Sequence, residues 1–467
     1  MKKFFSILIA VLMMLAIIPT EIFADVDVFG VKAESNGTEV LLSWESAGSA
    51  ESYSVYYKKS SEKDYKLLGT FKSLKLKVKK LSDGVSYDFK VESTGGLRTE
   101  AVTLTPEIGK KKTAEKYPDK GQFESAKEAV INFGAGINIG NSFDSCGTWL
   151  PKAASVKQFE EAWGNPQITK AHIKAIKDAG FGAVRLPVTW NYVSDSKGNI
   201  RADWMDRVAE VVDWILDEDL YCIINVHHDT GTEGWIHASE SSYSNGKDRF
   251  KKIWEQIAER FKDYGEKLLF ECMNETLNDA NDWNSSNPND FKVIKKWQQI
   301  FVDVVRNSGG KNEQRNIVLN TYAASSNTNI INSFELPNNC ITEHTVLQVH
   351  NYDPQGFTWK NVGYAPERST WGTADDKAAM ESFINTLSAR AESLGVAAIV
   401  GEFSSDNKNN ESERAKHAAY MYSTAHSKNI AVFWWDNGDD NGCRIFDRKT
   451  GKQTMPKIIE AIINAVK

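Results

Sequence analysis

Five cysteines in 467 residues, none in a CxxC pair, leave no disulfide framework and no thiolate zinc cluster to be read. Cys222 and Cys272 lie inside apolar runs and read as small core residues; an oxidising compartment would allow one bridge among the five, but the fold is not expected to need it. Proline is scarce at 11 and glycine stands at 31, while 41% of residues are hydrophobic and 25% charged, so collagen, coiled coil and wholesale disorder are disfavoured. Positive charge is not in excess: 56 Lys and Arg face 62 Asp and Glu, a formal net charge of -6, and lysines cluster only in short runs, so nucleic acid is not an expected partner. HExxH and HxH are both missing, and with them the common histidine metal motifs. Beyond the N-terminus no apolar run reaches the roughly 20 residues that a membrane span needs.

At the N-terminus, Lys2 and Lys3, the apolar stretch Phe4 to Pro19 and Ala24 have the layout of a secretory signal peptide. Residues 1–24 are therefore expected to be removed, leaving a secreted chain with no membrane insertion. From Val26 to Pro106, short alternating runs (Glu39 to Trp44, Ser52 to Lys58, Leu74 to Val78, Ser86 to Glu92, Glu100 to Thr105) predict a small β-sandwich over residues 25–106. Trp44, Leu81 and Tyr87 resemble the fibronectin type III pattern, with Tyr87 placed for a tyrosine corner. This domain reads chiefly as a spacer, although Tyr56, Tyr57 and Tyr65 could form a carbohydrate-binding strip; alternating strand aromatics are more often core. Residues 107–121, with Lys110, Lys111, Lys112 and Pro118 and almost nothing apolar, read as a solvated linker.

Residues 122–467 change texture, with short Val-, Ile- and Phe-rich runs alternating with longer amphipathic segments. This is the signature of βα units around a buried parallel sheet. There are eight such runs: Gly134 to Gly140, Ala183 to Val188, Tyr221 to Val226, Leu268 to Cys272, Asn316 to Asn320, Thr345 to Val349, Ala397 to Val400 and Ile430 to Trp434. Between them, Asp203 to Asp217 places Trp204, Val208, Val211 and Ile215 on one helical face, and Ala374 to Ser393 does the same with Phe383, Leu387 and Ala391. The fold class is therefore α/β, a (β/α)8 TIM barrel, which takes about 250 residues and tolerates insertions, behind the N-terminal sandwich.

Active sites of such barrels are built at the C-terminal strand ends. Here those ends offer Asn141, Arg185, His227 and His228, Asn274 and Glu275, Tyr322, His350 and Tyr352, Glu402, then Trp435 and Asn437. Plain turn and cap chemistry would offer Gly, Asp, Ser and Asn instead. Glu275 after the fourth run and Glu402 in the seventh would face each other across the barrel mouth. Paired carboxylates are what glycoside cleavage requires, one to protonate the leaving oxygen and one to attack or to activate water.

Seven ordered motifs in this span resemble glycoside hydrolase family 5, the cellulase-type retaining β-glycanases. They are GINIGNSFD (Gly136 to Asp144), GFGAVRLPVTW (Gly180 to Trp190), IINVHHD (Ile223 to Asp229), FECMNET (Phe270 to Thr276), VHNY (Val349 to Tyr352), VGEF (Val400 to Phe403) and FWWDNG (Phe433 to Gly438). WGNPQIT (Trp163 to Thr169) and TYAAS (Thr321 to Ser325) further resemble its subfamily 4. The resemblance implies Glu275 as acid/base and Glu402 as nucleophile, with Arg185 and Tyr352 donating to Glu402. Asn274 would bond the sugar 2-hydroxyl, and His350 would orient the acid/base unless it is merely a satisfied buried histidine. Asn141, His227 and His228 would bind sugar; paired histidines often hold a metal, but sugar contacts fit this pattern better. Trp435 would floor the subsite of the cleaved sugar, with Trp434 as its alternative.

Of the 14 Trp, Trp149, Trp190, Trp235, Trp283, Trp359 and Trp371 also fall near strand ends as candidate sugar platforms, whereas Trp204, Trp214, Trp254 and Trp297 follow helical periodicity into the core. No cofactor and no metal are expected, and the partner is a β-1,4-glucan-type polysaccharide such as cellulose, xyloglucan or mixed-linkage glucan, bound by a monomer. No dockerin-like repeat or sorting tail follows the last run, which favours free secretion. The competing readings are a β-mannanase on the same scaffold, a metal-dependent hydrolase using His227, His228, His350 and Glu402, and a non-catalytic polysaccharide-binding wall protein.

Overall fold

A computed structural model describes residues 30–36, 39–47, 50–78, 81–82, 85–105 and 123–467. The leader expected over residues 1–24 and the linker expected over 107–121 lie outside them. Two compact units result, the first ending at Lys112 and the second starting at Thr113.

Among its described residues the first unit holds seven antiparallel strands in two sheets. Strands β1 (Val31–Asn36), β2 (Glu39–Trp44) and β5 (Lys75–Val78) pair in the order β1-β2-β5. The other sheet has the order β4-β3-β6-β7, from β3 (Tyr53–Lys59), β4 (Lys66–Phe71), β6 (Tyr87–Ser93) and β7 (Val102–Leu104). Alternation drives the packing: Tyr53, Val55, Tyr87, Phe89 and Val91 turn inward to meet Val40, Leu42 and Trp44 of the facing sheet, an arrangement consistent with a small β-sandwich. Strands β1 and β4 were not among the runs read from sequence. Both are sheet edges, held by backbone pairing on one side, and β4 shows no regular burial alternation to reveal it. The expected tyrosine strip divides, because adjacent strand residues face opposite ways. Tyr57 turns to Tyr87 at 6.4 Å between ring centroids, while Lys90 Nζ lies 5.4 Å from the Tyr56 ring and 4.4 Å from the Tyr65 ring.

The second unit is a closed barrel of eight parallel strands. They are β8 (Ala135–Ile139), β9 (Ala183–Leu186), β10 (Tyr221–Asn225), β11 (Leu268–Glu271), β12 (Ile317–Ser325), β13 (Thr345–His350), β14 (Ala397–Phe403) and β15 (Ala431–Asp436). Each apolar run becomes one strand, but β12, β13, β14 and β15 extend beyond the apolar stretch. Glu402 and Trp435 therefore sit within strands, where His350↔Glu402 and Trp435↔Asn138 pair in register.

Inside the barrel, Ile223, Leu269, Val318, Val346, Ile399 and Phe433 form an apolar layer packed against Ala126, Ala129, Val130 and Phe133 of the helix Ala126–Phe133. That helix starts at a capping box in which Ser125 and Glu128 satisfy each other's backbone N–H. Two residues further along six of the strands come Asn138, Arg185, Asn225, Glu271, Asn320 and Gln348, each at most 1% exposed. This polar layer separates the apolar floor from the strand ends. Outside, the helices Ala202–Asp217 and Ala374–Leu394 bury the faces expected from their periodicity. All five cysteines are free thiols, with Cys222 and Cys272 fully buried. Among the described residues no helix is long and apolar enough to cross a membrane.

Trp254 joins helix to barrel: its ring meets Phe301 at 4.5 Å and Phe270 at 5.8 Å, and its Nε1 donates to the Cys272 carbonyl at 3.1 Å. Trp254→Ala should cost about 3 to 5 kcal/mol, read as a lower urea midpoint with unchanged slope.

Candidate active site

The strand ends open into a cavity of about 1010 Å³. Its walls include Asn141, His227, His228, Asn274, Glu275, His350, Tyr352, Glu402 and Trp435. Arg185, also singled out from the sequence, lies fully buried beneath it.

Arg185 has five N–H donors, and each meets an acceptor. Nε donates to Glu271 Oε2 at 2.6 Å; Nη2 donates to Glu271 Oε1 at 2.7 Å and to Asn274 Oδ1 at 2.8 Å. Nη1 donates to Asn138 Oδ1 at 2.9 Å and to Glu402 Oε1 at 2.7 Å. A buried guanidinium is tolerable only with such complete pairing. Because Asn274 Oδ1 is taken by Arg185, its amide N–H groups are left to face a ligand.

Glu275 and Glu402 converge on His350, the three offering donor atoms within 4.8 Å of one another. His350 Nδ1 lies 2.8 Å from Glu275 Oε1 and 3.6 Å from Glu402 Oε2. Burial lowers the His350 pKa to about 4, so the ring is neutral near neutrality. With the Gln348 amide nitrogen, 3.4 Å away, donating to Nε2, the ring proton sits on Nδ1 and is donated to Glu275. Glu275 Oε2 is then the oxygen left to carry an acid proton.

The two carboxyls differ in what surrounds them. Burial pushes the Glu275 pKa up to about 7, with Glu271 adding to it against the pull of His228 and Arg185. Burial also raises Glu402, but there Arg185 and the Tyr352 hydroxyl, which donates to Oε2 at 2.8 Å, pull the other way, as would a charged His350. Tyr352 stays protonated, since burial lifts its own pKa well above the ordinary phenol value. Where the pair holds one proton, these surroundings favour the proton on Glu275 and the charge on Glu402.

Trp435 forms one wall. Its ring lies parallel to His227 at 5.8 Å between centroids, 6° from coplanar. A Cβ at position 140 would meet the Trp435 ring at 2.5 Å, so Gly140 lets the indole lie against the backbone. Trp434, one residue earlier, faces away, fully buried with Nε1 bonded to the Cys443 carbonyl at 2.8 Å. His227 stays neutral, burial holding its pKa well below the usual value, and its Nδ1 is 3.0 Å from the Asn225 amide.

With this geometry in view, similarity to known proteins decides the lineage. The family model of cellulases, glycosyl hydrolase family 5, matches residues 144–441. The chain belongs to glycosyl hydrolase family 5. Endoglucanase A of Clostridium longisporum is 36% identical over 319 residues, covering 67% of this chain and 59% of that protein. A cellulase/esterase of Acetivibrio thermocellus is 36% identical over 348 residues, 73% of this chain and 40% of that protein, so the chain spans well under two thirds of both. Among solved structures, a broad specificity GH5-4 endoglucanase from Ruminococcus champanellensis with bound cellotriose superposes with a TM-score of 0.68 at 32% identity, covering 73% of this chain and 99% of that one. A family 5 enzyme from Prevotella bryantii, a mutant in complex with a xyloglucan tetradecasaccharide, gives 0.67 at 33% identity, covering 74% and 99%.

In this family 5 chain several expected platforms lie elsewhere. Trp190 is fully buried with Nε1 on the Asn225 carbonyl, Trp371 is 7% exposed against His417, and Trp235 packs on Trp297 under Arg249. Trp149, 63% exposed, is not part of the cavity wall. Tyr322 braces the loop after β11, accepting from Asn278 N and donating to the Asp282 carbonyl, and Asn437 caps its own turn. Trp283 and Trp359 do line the cavity, joined by Trp163, whose ring lies 5.4 Å from His228 and which the sequence had offered only as part of a motif. Apart from Arg185 the polar layer, Glu271 above all, was not singled out either. Its signal was present: a glutamate inside an apolar strand must find a cation, and Arg185 occupies a like position two runs earlier.

Carboxyl-carbon NMR titration of wild type and Glu275→Gln should show one glutamate titrating near pH 7 that the variant lacks. A Glu275 titrating at the ordinary value of about 4.3 would contradict the burial argument.

Proposed function

We propose that the chain is a secreted, retaining endo-β-1,4-glucanase of subfamily 4 that acts on xyloglucan, mixed-linkage glucan or cellulose by double displacement. The observation that carries this reading is the convergence of Glu275 and Glu402 on His350, one oxygen of each lying within 4.8 Å of the other, which favours the close pair of a retaining enzyme over the roughly 6.5 to 9.5 Å of an inverting one. Glu402 attacks the anomeric carbon while Glu275 passes its proton to the departing glycosidic oxygen. A glycosyl ester on Glu402 results. Glu275, now a carboxylate, takes a proton from water, and that water displaces Glu402 with net retention. Asn274, fixed by Arg185, offers its amide to the sugar 2-hydroxyl, and Trp435 stacks on the sugar whose bond breaks.

The open cavity with Trp163, Trp283 and Trp359 on its walls suits a polymer entering mid-chain. Relatives with bound cellotriose and with a xyloglucan oligosaccharide support a β-glucan substrate, and the motif WGNPQIT supports the subfamily. A metal mechanism fits poorly: a guanidinium already bonds Glu402, and both Asp144 oxygens accept backbone N–H groups, from Asn141 and Ser142. The N-terminal unit is read as a fibronectin type III-like spacer, supported by the Tyr87 hydroxyl accepting from Ser82 N at 3.1 Å in the manner of a tyrosine corner. The Lys2, Lys3 and apolar leader supports export.

Product release from xyloglucan, barley β-glucan, carboxymethylcellulose and mannan tests the reading. Glu275→Gln should lose roughly 10²- to 10⁴-fold, and much less on a dinitrophenyl glycoside whose leaving group needs no proton. Glu402→Ala should be inactive but yield an α-glycosyl azide when azide takes the vacated position. EDTA should change nothing; loss of activity with EDTA, or activity surviving in Glu402→Ala without azide, would overturn the mechanism. In wild type, kcat/KM should fall as pH rises through about 7, where Glu275 gives up its acid proton, and fall again in acid as Glu402 becomes protonated.

A further inference from the structure

Glu271 takes no direct part in this chemistry. It ends β11 one layer below the cavity, with no exposed surface and no place in the cavity wall. We propose that Glu271 is a positioning residue, gripping one edge of Arg185 so that the other edge meets Glu402, and offsetting with its own charge the guanidinium beneath the two reacting carboxyls.

Geometry gives the first half. A guanidinium is planar, so holding Nε and Nη2 at 2.6 and 2.7 Å dictates where Nη1 points, and Nη1 reaches Glu402 at 2.7 Å. Glu271 is itself held: Asn225 Nδ2 donates to Oε1 at 3.1 Å and Asn320 Nδ2 at 3.4 Å, and Asn225 is its register partner on β10.

Charge gives the second half. Despite its burial Glu271 is held below the usual carboxylate range by Arg185, so it is ionised wherever the enzyme works. The charged or titratable groups around the pair are Glu402, Glu275 and the imidazoles of His227, His228 and His350, which burial keeps neutral. The Cys272 thiol, next along the chain, is also neutral. Remove the charge of Glu271 and Arg185 keeps Glu402 as its one carboxylate partner, so more of its positive charge acts on Glu402 and Glu275. Both would then release their protons at lower pH. A residue that only supported the fold would lower the rate or stability and leave both limbs of the pH profile in place.

The inference rests on Glu275 and Glu402 being acid/base and nucleophile. Wild type, Glu271→Gln and Glu271→Asp are compared by kcat and KM across pH on the best substrate, with urea unfolding of each. In Glu271→Gln both limbs should move acidward by about one pH unit, the scale of one nearby charge. Its kcat should fall roughly 10²-fold, the usual effect of a small misplacement, with KM little changed. Glu271→Asp keeps the charge but shortens the reach, so its limbs should stay at wild-type pH while kcat falls to an intermediate value. If Glu271→Gln does not fold, Glu271→Asp decides by kcat against stability: a lowered kcat with KM, limbs and urea midpoint unchanged supports the proposal, and shifted limbs, an undiminished kcat or a kcat loss that only follows a lowered urea midpoint overturns it. An active wild type with a Glu271→Gln profile in the wild-type position removes this proposal alone. An inactive wild type removes the functional reading and this proposal with it.

Discussion

Arg185 is where the barrel and the site become one structure. Its five donors reach acceptors supplied by β8, β11, β14 and the residues just beyond β11, so its position depends on the closure and register of the whole barrel. Deleting one partner of such a buried network costs about 3 to 5 kcal/mol, because the charge left behind has no water to return to. The same network delivers Glu402 and Asn274 to fixed places. Stability and preorganisation therefore draw on the same hydrogen bonds.

Around that cation the two carboxyls are deliberately unlike. Glu402 accepts from a guanidinium and a phenol, whereas Glu275 accepts only from a neutral imidazole. Burial alone would raise both, and it is the donors that separate them. His350 does more than fill space. Adjacent in register to Glu402 and bonded to Glu275, it spans the pair without adding a charge that would bring both to the same protonation state.

Much of this was legible from residues in order. The eight apolar runs became eight strands, and reading the residues at their ends recovered nine groups of the cavity wall together with Arg185 below it. Apolar runs and amphipathic periods are local signals, and a parallel barrel buries its strands on both faces, so composition marks them well. Edge strands β1 and β4 escaped because backbone pairing, which no side-chain pattern records, holds them. Some tryptophans misled for a related reason: Trp190, Trp235 and Trp371 stand near strand ends but pack against other protein groups. A flat apolar ring serves a core as well as a sugar.

The sequence by itself determined the units, their order and the chemical character of the strand ends, because period two and period 3.6 are written in neighbouring residues. It also carried the family motifs. The tertiary structure alone decided that Glu271 stands behind Arg185, that Trp163 joins the cavity wall, and which donors and how much burial each of the two carboxyls meets. Each depends on distances between strands far apart in the chain. Electrostatics and burial are properties of those distances, and they come into being only when the barrel closes.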